Sequence, residues 1–347
     1  MSLFLDAARG TNTGRAPIWI MRQAGRYLPE YRKLKEQHGF WEMCRTPELA
    51  AEVTLQPVRR FGLDAAILFQ DIMTPLPPMG FAIDFAPGPV FTAPIRSQRA
   101  VDALLLPDED EIAPYVAEAI ALIRQASPVP LIGFGGAPLT LAVYAVQGGG
   151  SKDYAEFRGF LRQAPAAAHA LLEKLTTVSI RYLRMQVAAG ARAIQLFDSW
   201  AGLLSERDYA IFGKPYAERV LRALAPLGVP RIYLAVDARH LYAEIATLPT
   251  EVISVDWRTG LERVRGLLPG KTLQGNLDPA ALLAPRETLR EEALRVLQAG
   301  QGGAHIFNLG HGIFPHTDPT QVEFLVDVVK SFDRSAPESR IPAGERT

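Results

Sequence analysis

Cysteine is nearly absent: Cys44 is the only one in 347 residues. A single thiol builds neither a disulfide framework nor a thiolate metal cage. An excess of charge of either sign is also missing. Lys and Arg together number 37, as do Asp and Glu, so the net charge is zero. No global field draws the chain to nucleic acid or to a membrane surface, and anions must be recognised by a local cluster. No apolar run approaches the length of a membrane span. The N-terminus has no basic segment followed by an apolar stretch, so no secretory leader is expected and a cytoplasmic location is the default. No internal repeat is found.

What is present is ordinary for a globular protein with a large core: 48% hydrophobic and 21% charged residues. Eight short apolar runs recur, at Pro17–Ile20, Ala65–Phe69, Val129–Phe134, Ala191–Phe197, Arg231–Val236, Glu251–Val255, Lys271–Gln274 and Ala304–Leu309. Most are continuous, as parallel strands buried on both faces are. Helical stretches lie between them. Thr46-Pro47, Asp278-Pro279 and Asp318-Pro319 read as N-caps followed by proline. Ser205–Asp208 and Thr259–Glu262 read as capping boxes. A long helix over Ala164–Ala189 is closed by Gly190. The pattern predicts an α/β fold, a single (β/α)8 TIM-type barrel over residues 1–335, with a loose tail at 336–347. Thr74–Pro94, rich in proline and glycine, is expected to be an extended excursion.

Polar residues follow the runs: Arg22, Asp71, Asp198 with Ser199, Asp237, Asp256, Asn276 and His311. In a barrel these exits converge at the C-terminal mouth of the strands, where a site belongs. Arg22 and Arg26 are four apart, so one helical turn, stopped by Pro29, would put both on one face. Two guanidinium forks suit a substrate with several carboxylates or phosphates. An isolated pair reads first as a surface salt-bridge segment, but Trp19 and Met21 just before it point to a buried strand emerging. Asp71 ends the apolar run Ile67–Gln70 and needs donors there: a cap, a salt bridge to Arg22, or a substrate. Asp198 and Asp256 suit internal ion pairs as well as a site. Gly148-Gly149-Gly150 reads as an anion cradle or a hinge.

Two nucleotide motifs fail. Gly133–Pro138 starts like a dinucleotide fingerprint but has proline where the third glycine belongs. Gly266–Thr272 is one residue short of a phosphate loop and precedes a strand. His305, His311 and His316 lack the spacing of a metal motif. His311 stands between Gly310 and Gly312, which allow the chain to turn its ring toward a cavity.

The run Pro17-Ile18-Trp19-Ile20-Met21-Arg22-Gln23-Ala24-Gly25-Arg26 resembles the first signature of the uroporphyrinogen decarboxylase family. Gly133–Leu141, continuing to Tyr144 and Gly148, resembles the second. Phe69–Ile72, Leu196–Ser199 and Asn308–Gly312 follow in family order. Leu139, Gln147, Lys35 and Trp200 depart from common family choices. The resemblance implies a distorted barrel, a homodimer, and no metal or organic cofactor. It implies decarboxylation of the four acetates of uroporphyrinogen III to methyl groups, giving coproporphyrinogen III and CO2 in tetrapyrrole and haem biosynthesis. Asp71, Arg22, Arg26 and Tyr144 would be catalytic. Ile72, Phe134, Phe197, Ser199 and His311 would join them in binding substrate. Rival readings are a zinc-dependent corrinoid or thiol methyltransferase of similar barrel, and a tetrapyrrole-binding protein without catalysis.

Overall fold

In the computed structural model, which describes residues 2–12, 14–85 and 88–332, the expected strands curl into one parallel sheet. Its strands are β1 (Ala66–Ile67), β4 (Leu131–Gly136), β5 (Ala193–Asp198), β6 (Arg231–Ala235), β7 (Val252–Ser254), β8 (Thr272–Gln274) and β9 (His305–Ile306). They pair in that order, each parallel to the next, with β4 and β6 buried along their whole length. The expected tail at 336–347 lies outside the described residues.

The first apolar run differs from expectation. Pro17–Ile20 forms no ladder strand; a single parallel bridge joins Ile18 to Phe307. Phe307 N–H donates to Pro17 O at 2.8 Å, and on the other side Asp64 N–H donates to Ile18 O at 2.9 Å. The segment therefore fills the gap between β9 and the approach to β1 and closes the TIM-like barrel. It is not a regular strand because side chains take its donors. Ile18 N–H goes to Asp64 Oδ2, Ile20 N–H to Gln23 Oε1 and Met21 N–H to Asn308 Oδ1. Pro17 has no donor to give.

The barrel interior holds a layer of amides. Trp19 Nε1 donates to Gln274 Oε1, and Gln274 Nε2 donates to Gln195 Oε1 and Ser254 Oγ, each at 3.0 Å. Both Gln274 hydrogens are thus used, and the group tolerates burial.

The caps at Ser205, Asp278 and Asp318 form as read, each side chain accepting a backbone N–H of the following turn. The Asp278 cap starts a 3-10 turn, Pro279–Leu283. The box at Thr259 does not form. Gly260 is the cap of helix Leu261–Leu267, while Thr259 is buried and its carbonyl accepts from Asn276 Nδ2. The long helix runs Pro165–Ala189 and ends at Gly190, φ +130°. Within the Thr74–Pro94 excursion, β2 (Ile83–Phe85) and β3 (Pro89–Phe91) form an antiparallel hairpin. It docks on the end of helix Pro138–Gln147, where Phe91 N–H donates to Gly148 O at 2.8 Å. Gly148, at φ +89°, caps that helix, so this glycine serves a helix end and a docking point rather than an anion cradle. Among the described residues no helix is long and apolar enough to cross a membrane.

Candidate active site

A cleft of about 720 Å³ opens at the C-terminal ends of the strands, and all the residues singled out for chemistry or binding line it. A second cleft of about 750 Å³, beside the N-terminal ends of β4 and β5, lies between Arg9, Arg124 and Arg192 and holds none of them. The mouth at the strand C-termini is where barrel chemistry resides.

Arg22 and Arg26 both reach the cleft, but not on one helical turn. Arg22 sits at φ +64°, in the left-handed region, which no helix continues. Pro29 does not stop a helix; it opens Pro29–Gln37 at the first position. Asn308 and Ile313 grip the backbone of Met21, just before Arg22, from the far end of the chain. Neither arginine has a carboxylate within 4.0 Å among the described residues, and Lys35 lies in the same cleft. Three cations thus rim the cleft, none of them with a salt-bridge partner among the described residues. Gly310 and Gly312 act differently from expectation. Neither has a left-handed φ; a Cβ on Gly310 would overlap the Trp257 backbone, and one on Gly312 would overlap Arg22. They are small so that other groups can approach.

Asp71 follows β1 and is half-buried. Its Oδ1 accepts Met73 N–H at 2.8 Å, a local turn contact, and no salt bridge to Arg22 forms. Desolvation raises its pKa, while the Met73 N–H and the Arg22 charge pull it back. Oδ2 has no partner among the described residues, so the carboxyl retains acceptor capacity toward the cleft. Phe134 and Phe197, edge to face at 5.4 Å, supply apolar wall with Ile72.

Tyr144 projects from helix Pro138–Gln147, and burial raises its phenol pKa. Its ring meets Trp200 edge-on at 6.0 Å, and Trp200 leans on Tyr154 at 4.3 Å. Ser199 lies at the exit of β5. Of the four departures only Lys35 lines the cleft. Leu139 is buried in the core, and Gln147 Oε1 accepts Phe157 N–H.

His311 has its pKa lowered to about 4 by desolvation and by the nearby Arg22 and Arg258 cations, with Asp256 opposing. Its imidazole is neutral at pH 7. Asp256 pairs with Arg258 at 2.9 Å, the internal ion pair that was one of its two readings, and Arg258 covers the Trp257 ring at 4.1 Å. Asp198 pairs with no cation among the described residues. It is fully buried, with Oδ1 accepting from Thr140 Oγ1 at 2.8 Å and Oδ2 from the Tyr233 hydroxyl at 2.7 Å. Burial outweighs both donors and raises its pKa to about 6. The sequence marked Asp198 but not its partners, which come from two separate segments, the helix carrying Thr140 and the strand carrying Tyr233.

His305 Nε2 donates to Gly275 O at 2.7 Å inside the barrel, and His316 stacks on Phe314. Among the described residues no three His, Cys, Asp or Glu side chains are placed to hold a metal. Cys44 is buried, and burial pushes its thiol pKa well up, with Asp71 adding to it. The false dinucleotide glycines serve packing: a Cβ on Gly133 would come 2.5 Å from Gln186 Oε1.

Residues 1–332 match the family model described as uroporphyrinogen decarboxylase (URO-D). The chain is 47% identical over 329 residues to uroporphyrinogen decarboxylase of Geotalea daltonii, covering 94% of this chain and 97% of that one. It is also 47% identical over 335 residues to the enzyme of the same description from Geobacter sp. (strain M21), covering 95% and 98%. Among solved structures, a methyltransferase from Methanosarcina mazei superposes with a TM-score of 0.79 at 22% identity, over 94% of this chain and 97% of that one. That last likeness speaks to the fold alone. The family match over nearly the whole chain and the close relatives agree: the chain belongs to the uroporphyrinogen decarboxylase family.

Proposed function

We propose that this cleft decarboxylates the four acetate side chains of uroporphyrinogen III to methyl groups, giving coproporphyrinogen III and four CO2 without a cofactor. An acetate losing CO2 leaves an electron pair that needs a sink. Protonating the attached pyrrole makes a cation that accepts the pair. A second proton delivered to the exocyclic carbon, with loss of the ring proton, completes the methyl group. Each round consumes one proton overall.

The observation that carries this reading is one carboxylate with spare acceptor capacity, Asp71, in an apolar-walled cleft rimmed by three cations that have no salt-bridge partner among the described residues. Asp71 would accept the pyrrole N–H groups and stabilise the ring cation as it develops. Arg22 and Arg26 would hold carboxylates, each charge-assisted bond contributing about 1.5–3 kcal/mol. Arginine is too weak an acid to be favoured as proton donor, so positioning ranks above proton delivery. Tyr144 and Ser199 would bond the reacting acetate. His311, neutral at pH 7, would bond a rim carboxylate as a neutral N–H donor.

The test is anaerobic incubation of purified protein with freshly reduced uroporphyrinogen III alone, products being separated by carboxylate number. Stepwise loss from eight carboxylates to four, unaffected by chelator, is expected. Neither binding nor turnover would revive the zinc methyltransferase reading, and tight binding without carboxylate loss would leave a carrier. The homodimer is proposed with the same family reading, and light scattering in solution tests it.

A further inference from the structure

Thr140 stands one helical turn before Tyr144 on helix Pro138–Gln147. Its Oγ1 donates to Asp198 Oδ1 at 2.8 Å and accepts Trp200 N–H at 3.2 Å. One hydroxyl thus ties the helix carrying Tyr144 to the strand exit carrying Ser199. The direction of each bond is fixed by what the groups can do. An ionised carboxylate only accepts. Tyr233 spends its single hydrogen on Asp198 Oδ2, so in its 2.9 Å contact with Tyr209 the latter must donate. Each hydroxyl hydrogen from Tyr209 through Tyr233, and from Thr140, has an acceptor, and Asp198 is locked on both oxygens. Thr140 and Asp198 are fully buried and neither lines the cleft. The Trp200 ring, whose backbone Thr140 holds, is the surface on which Tyr144 leans.

We propose that Thr140, oriented by Asp198, is a positioning residue that sets where Tyr144 stands relative to Ser199 across the cleft. The inference rests on the decarboxylase reading of this site. It acts on turnover because small displacements of reacting groups are costly while ground-state contacts elsewhere in the cleft persist.

The experiment compares Thr140→Val, which keeps the shape and removes both bonds, with Thr140→Ser, which keeps the hydroxyl. Thr140→Ala replaces the valine variant should that one not fold. Folded protein is verified by circular dichroism at the assay temperature. Thr140→Val is expected to lower kcat by about 10- to 100-fold with KM changed less than about twofold. Thr140→Ser is expected to restore kcat to within about threefold of the parent. The Trp200 amide should exchange slowly in the parent and in Thr140→Ser, and fast in Thr140→Val. Undiminished kcat in Thr140→Val, or a serine variant as poor as the valine one, overturns the proposal. Should the parent itself fail to turn over uroporphyrinogen, the decarboxylase reading falls and the catalytic half of this inference with it. Retained Trp200 protection in Thr140→Val overturns the tie itself, whatever the activity.

Discussion

Gly312 and Arg22 lie so close that a Cβ on the glycine would overlap the arginine's Cδ. Gly312 is not in the left-handed region, so alanine suits its backbone. Gly312→Ala should therefore leave the fold intact and push Arg22 off its present path. The expected result is a fall in kcat/KM of about tenfold or more, the worth of one charge-assisted contact. Steady-state kinetics beside a melting curve checks it; unchanged kinetics would mean Arg22 finds its place without this gap.

Asp71→Asn keeps the shape of the side chain and the Met73 contact while removing the charge. Turnover should fall by about a hundredfold or more, the usual loss when a group facing developing charge is removed. Single-turnover assays with reduced substrate measure it. Near-normal rates would take Asp71 out of the mechanism.

Arg26→Lys preserves charge but not the planar fork. KM should rise by about tenfold with a smaller change in kcat, since bidentate binding is lost in ground and transition state alike. If both constants stay put, Arg26 acts as a point charge.

His311 and Asp198 should pull stability in opposite directions as pH changes. The His311 pKa is about 4 in the folded chain against an ordinary 6.5. Between those values the unfolded chain binds more protons, so stability rises with pH across that window. The Asp198 pKa is about 6 against an ordinary 3.8. There the folded chain holds the extra proton, so stability falls as pH rises from about 4 to about 6. Asp71, also raised, acts with Asp198. Denaturant melts should show Asp198→Asn gaining on the parent as pH rises through that range. His311→Asn should gain on the parent as pH falls from about 6.5 toward 4. Parallel curves for either variant would refute the corresponding shift.

The cleft's chemistry was legible because its markers are local. Arg22 and Arg26 share one contiguous run, and Asp71 and His311 each end an apolar stretch. What was illegible depends on distant partners. Nothing near Asp198 announces Tyr233 and Tyr209, which arrive from another strand and another helix. Pro29 was misread because proline marks a helix start as well as an end, and only the turn at Arg22 decides which. The Ile83–Phe91 hairpin has strands of three residues, one opening on Pro89, too short for alternation to show and demoted by the proline. Thr259 fits a cap by type, but Asn276, on the neighbouring strand exit, claims its carbonyl.

The bond from Met21 N–H to Asn308 spans 287 residues. A ribosome releases the arginines some 287 residues ahead of the asparagine that holds their loop. The free energy of closing so long a loop grows only with the logarithm of its length. The delay is therefore one of synthesis. Every strand from β1 to β8 can be made while the segment that completes the wall still has no neighbour on one side, and the cleft has its rim only once the final glycine-flanked histidine has emerged.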